Sequence, residues 1–140
     1  MSAGAWDLGD YGDLLDCAVA GGYRFAWFGD GPEPGQLFLR HDVDLALDAA
    51  VRMAELESER GIGATYFLMT ESVFYNLASS EGVEALARLR ALGHRIGLHA
   101  VHPNAVLDER FEPIVAWHNP EPATMSAPVP GAINVMGERY

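Results

Sequence analysis

Between Leu37 and His99, short apolar runs alternate with segments of helical spacing, and that order leaves few folds open. Residues 36–41 read as a buried strand. A helix follows from about Leu45 to Arg60, with Ala46, Ala49, Ala50, Met53 and Leu56 on its inner face, an Asp48–Arg52 pair outside and Gly61 at its end. Residues 64–69 form the next buried strand. Ser79 and Ser80 open a second helix carrying Val83, Leu86, Leu89 and Leu92, which Gly93 closes. Residues 95–99 are a further strand, and 114–118, set between Pro113 and Asn119-Pro120, another. Strands separated by helices predict right-handed crossovers and a parallel sheet.

The flanks are read the same way. Tyr11, Leu14, Leu15, Ala18 and Val19 repeat at helical spacing up to Gly21-Gly22, and Tyr23–Phe28 is aromatic-rich and strand-like. Residues 29–35 are loop by composition. From Asn119 onward the chain is rich in Pro and Gly and reads as loop with one short apolar run, 132–136. The expectation is one α/β domain over residues 1–140.

The strand at 36–41 runs into His41-Asp42-Val43-Asp44. Residues two apart on a strand point to one side, so two carboxylates are brought together where the strand ends. Like charges that close repel unless a cation lies between them or one stays protonated. A metal, or a base beside a metal, explains the pair. N-capping of the next helix accounts for Asp44 alone and leaves Asp42 unexplained. His99 and His118 also close strands, and in parallel α/β sheets that rim is where ligands collect. His99 and His102 are three apart and able to share a metal. One Asp with two His leaves coordination sites open, as catalytic centres do. His94 is read as capping or packing, and His41 as pointing away from Asp42, into the core or behind the site. Trp117 packs in the core or stacks on a sugar ring.

Composition narrows the partners. With a net charge of -11 the chain is not expected to bind nucleic acid or an anionic membrane surface. The single Cys17 excludes an internal disulfide and reads as a small core residue. No apolar run spans a bilayer, and the N-terminus lacks the regions of a signal peptide, so the expected location is cytoplasmic.

The run Arg40-His-Asp-Val-Asp44, then Ala64-Thr-Tyr-Phe67, then Gly93-His-Arg-Ile-Gly-Leu-His-Ala-Val-His-Pro103 resembles the polysaccharide deacetylase family, also called the NodB homology domain. The likeness spans residues 37 to 119, and Ser72–Ser79 and Ala116–Pro122 resemble a cytoplasmic branch of it. It implies a distorted (β/α) barrel, here partial because only four or five strands are read. By resemblance Asp42 is the catalytic base, Asp44 the metal-binding aspartate, His99 the first metal histidine and His102 the nearest match to the second. The chain departs from the family pattern in three ways. Its two histidines are three apart rather than the usual four. No Arg-Pro motif follows. The later motif with the general-acid histidine has no counterpart before Tyr140.

The implied activity is metal-dependent hydrolysis, with zinc the expected divalent metal, of a non-peptide C–N bond such as the N-acetyl group of a sugar derivative. Asp42 takes the proton of the attacking water and His118, at a strand end, is the candidate acid for the leaving amine. The alternative is a deacetylase-like module that binds metal or a partner without turnover. An open-edged partial barrel also calls for a partner strand or another subunit, such as a second copy, to cover its sheet edges.

Overall fold

A computed structural model describes residues 7–28, 30–70 and 72–99, and the backbone of residues 125–126. Helix α1 (Leu8–Ala20) starts at a capping box. Asp7 accepts from Gly9 N and Asp10 N at 2.7 and 3.1 Å, and Asp10 accepts from Asp7 N at 2.9 Å. Helices α2 (Leu47–Ser58) and α3 (Ser80–Ala91) each precede a strand of one sheet. Gly61 and Gly93, with φ of 68° and 89°, make the left-handed turns that return the chain to it.

All strand pairings are parallel. Strands β1 (Arg24–Ala26) and β2 (Gln36–Phe38) form a two-stranded sheet. Strands β3 (Arg40–Val43), β4 (Thr65–Leu68), β5 (Arg95–His99) and β6 (Met125–Ser126) form a second in that order. The fold is therefore mixed α/β with parallel strands in small sheets, and no barrel closes among the described residues.

Three expectations are corrected. The strand read at 36–41 is two strands, broken at Leu39, whose carbonyl already accepts from Thr65 N at 3.0 Å on β4. A short strand, β6, lies where the sequence reads as loop. Cys17 is exposed, not core, and Leu14 and Val19 on the same helix are about half exposed, at 54% and 50%. Only Gly12 and Leu15 of α1 are buried. The expected strand at 114–118 lies outside the described residues.

The core lies between the sheet and the two helices. Val43, Tyr66, Leu68 and Ile96 meet Leu47, Ala50 and Ala54 of α2 and Leu86 and Leu89 of α3. Strand β4 is buried along its whole length, as expected of a parallel strand covered on both faces. Leu89 has no exposed surface. Its replacement by Ala should cost about 2–5 kcal/mol, read from the denaturant midpoint; a cost below about 1 kcal/mol would contradict this packing.

Candidate functional site

Register sets the geometry of the rim. Val43, Leu68 and Leu98 are level across β3, β4 and β5, so Asp44 and His99 come one step later, level with each other at the C-terminal edge. Asp42, Phe67 and Gly97 share a row two positions back from Asp44 and His99, hence the same sheet face. His41 falls on the opposite face, toward α2. The Tyr75 hydroxyl ties the strand ends together. It donates to Val43 O at 2.6 Å and accepts from Met69 N at 2.8 Å.

Asp44 is not a helix cap. Helix α2 begins after Ala46, which makes no side-chain capping bond. The carboxylate turns to His99 instead, with 2.8 Å between Oδ1 and Nδ1. The distance is that of an ion pair, but the angle does not make a hydrogen bond, and the buried Nδ1 has no hydrogen-bond partner among the described residues. A buried nitrogen with no bond of its own beside a half-exposed carboxylate is a donor pair suited to a cation such as zinc. Among the described residues no group of three or more His, Cys, Asp or Glu side chains converges as a metal site. Asp44 and His99 thus bring together two donors, fewer than a metal site needs. His102 and His118 lie outside the described residues.

Asp42 has a strong partner in Arg40. Arg40 grips both of its oxygens, Nε to Oδ1 at 2.9 Å and Nη2 to Oδ2 at 2.8 Å, while the guanidinium lies over the Phe67 ring. At Asp42 the Arg40 guanidinium offsets the repulsion expected between the two acids. A cavity of about 640 Å³ runs along β3 and the first half of α2. Arg40, His41, Asp42 and Asp44 give it polar walls, and Ala49 and Met53 part of an apolar one.

Behind β3 lies a group that sequence reasoning missed. Glu57, with no exposed surface, sits on the inner stripe Leu47, Ala50, Ala54, Glu57 of α2. Its Oε1 accepts from Tyr11 Oη at 2.5 Å and faces His41 Nε2 at 2.6 Å; its Oε2 accepts from Tyr66 Oη at 2.8 Å. Burial pushes the carboxyl up, but the bonds from His41, Tyr11 and Tyr66 outweigh it and hold Glu57 below the usual carboxylate range. His94 stands 3.6 Å from Oε2 without bonding it. Its Nε2 donates to Ala54 O at 2.9 Å and its Nδ1 accepts from Ala64 N at 3.2 Å, so the ring is neutral and packs, as its sequence position suggests.

Burial, with Glu57 alongside, pushes the Tyr11 and Tyr66 hydroxyls above the ordinary tyrosine range, and burial does the same to Tyr75. A raised folded pKa favours the neutral phenol. The stability this gives is complete below about pH 10 and is lost as pH rises through the folded values. Tyrosinate absorbance should therefore rise in two phases on alkaline titration, the later one coinciding with loss of helical circular dichroism. A single phase complete before unfolding would contradict the buried hydroxyls.

No described helix is long and apolar enough to cross a membrane. Comparison of the chain with family models, with curated proteins and with solved structures finds no match.

Proposed function

We propose that the chain is a metal-dependent hydrolase of the polysaccharide deacetylase type, acting on a non-peptide C–N bond, with an N-acetylated sugar derivative as substrate. The observation that carries this reading is the meeting of Asp44 and the unbonded His99 Nδ1 at the C-terminal edge of a parallel sheet. In this reading the described strands are part of a (β/α) barrel, Asp44, His99 and His102 hold a divalent metal, zinc being the best match to N and O donors, and Asp42 is the base. A divalent metal there supplies Lewis acidity toward water and the substrate carbonyl. Asp42 lies on the same sheet face, takes a proton from the attacking water, and is freed for it when Arg40 releases one oxygen.

Zinc should bind the full chain at one per molecule, and the loaded protein should release acetate from N,N′-diacetylchitobiose. Absence of both stoichiometric zinc and acetate release ends the proposal. A second reading, a module that binds metal or a partner without turnover, is favoured by one observation: Arg40 occupies both oxygens of Asp42. Stoichiometric zinc without acetate release selects that reading.

A further inference from the structure

We propose that Tyr75 is the positioning residue of the metal site: its hydroxyl holds the peptide that carries Asp44, so that the carboxylate already faces His99 when a cation binds. This rests on the metal site that both readings above share, and not on turnover. The two donors are fixed to different degrees. His99 is buried and ends β5. Asp44 lies past the last residue of β3, caps no helix, and has a half-exposed side chain. Its direction therefore depends on the backbone on either side of it.

That backbone is held by the loop after β4. The groups that face β4 recur at every second residue of β3. Thr65 N donates to Leu39 O at 3.0 Å at one end of the pairing, and the same step brings Met69 N opposite Val43 O at the other. The Tyr75 hydroxyl bonds both groups of this last rung, donating to Val43 O at 2.6 Å and accepting from Met69 N at 2.8 Å. Val43 O belongs to the peptide that joins Val43 to Asp44. On the far side of the residue, Ser72 Oγ reaches Asp44 O at 3.5 Å. The Tyr75 ring packs against the core cluster, whereas Val73 in the same loop is almost wholly exposed. The core thus supplies the anchor, and the hydroxyl carries it to the rim.

Zinc tolerates little error in its donors, with bonds to N and O of about 2.0–2.2 Å. Donors held in place beforehand spare the cost of ordering them on binding. Without the hydroxyl, Met69 N and Val43 O turn to each other or stay unmatched. Either way the peptide before Asp44 loses the bond that fixes it. Groups that orient metal ligands from behind are typically worth about 10- to 100-fold in metal affinity.

Zinc titration of the full chain, by competition with a chelating dye, tests the role. Tyr75→Phe removes the hydroxyl alone and should weaken zinc by about tenfold while circular dichroism stays that of the wild type. Ile62→Val provides the control. Ile62 is buried ahead of β4, at the end of the sheet away from the rim, and its shortening costs stability without touching the site. Its zinc affinity should stay within about twofold of wild type. A double-mutant cycle shows whether Tyr75 acts through Asp44. Added to Asp44→Asn, Tyr75→Phe should weaken zinc by less than about threefold more, because the donor it positions is already lost. Wild-type affinity in Tyr75→Phe, an equal loss in Ile62→Val, or a full tenfold loss on top of Asp44→Asn overturns the proposal and leaves the metal site standing. A wild type that binds no zinc overturns the metal site, and the role of Tyr75 with it.

Discussion

Replacing Glu57 by Ala should cost the fold about 3–5 kcal/mol, because each buried polar partner left unmatched costs about 1–3 kcal/mol. A domain of this kind has only about 5–15 kcal/mol to lose. The large effect follows from what is left behind. Removal of the carboxylate strands the Tyr66 hydroxyl and leaves Tyr11 Oη and His41 Nε2 with only their long 3.4 Å contact to each other. Each then bears a desolvation cost. The four groups come from α1, β3, α2 and β4, so one side chain ties four elements together. Glu57→Gln keeps an acceptor and should cost clearly less. The same carboxylate links stability to acid. Its folded pKa is lowered, so its contribution is present above the ordinary glutamate value and is lost as pH falls through the folded one. Urea midpoints at neutral and acid pH check both points. An Ala variant within about 1 kcal/mol of wild type at neutral pH would show that the network carries no stability.

The order of elements was legible because Gly61 and Gly93 stop each helix just before an apolar run, and strand 95–99 and the Asp48–Arg52 pair stand as read. The Asp44–His99 meeting was also within reach, since both residues close parallel strands. Glu57 was not found, although its signal was present. It is the one acid on the stripe Leu47, Ala50, Ala54, whereas hydropathy alone placed the inner face one residue earlier. Residues of that expected face, Ala49 and Met53, line the cavity instead. Periodicity locates an apolar stripe; it does not tell a stripe against the core from one against a cleft. The break at Leu39 was invisible for another reason. Residues 36–43 hold no Gly or Pro to mark a stop, and the break depends on which neighbour each half pairs with. Leu14, Val19 and Cys17 were misplaced because α1 buries only Gly12 and Leu15, a narrower stripe than its apolar content suggests.

Asp42→Asn should lower acetate release by about 100- to 10,000-fold while leaving zinc stoichiometry intact, the expected loss of a general base. The two variants probe different contacts of the two acids. Asp42 lies in the grip of Arg40, and Asp44 meets His99 across β4. The amide of Asn retains one oxygen for Arg40 but has little basicity, so proton transfer is lost without a change of shape. Asp44→Asn acts at the other centre. It removes the anionic oxygen beside His99 Nδ1 and should weaken zinc by more than about 100-fold, beyond the 10- to 100-fold typical of outer-shell changes. Activity should then fall with it and return in part at high zinc. Zinc titration by competition with a chelating dye, paired with acetate release at saturating metal, distinguishes the two variants. If both keep wild-type zinc affinity and turnover, the acids serve only to hold Arg40 and His99 in place. If Asp42→Asn loses zinc as strongly as Asp44→Asn, the two carboxylates act as one ligand group, and Arg40 must then leave its fork with Asp42 when metal binds.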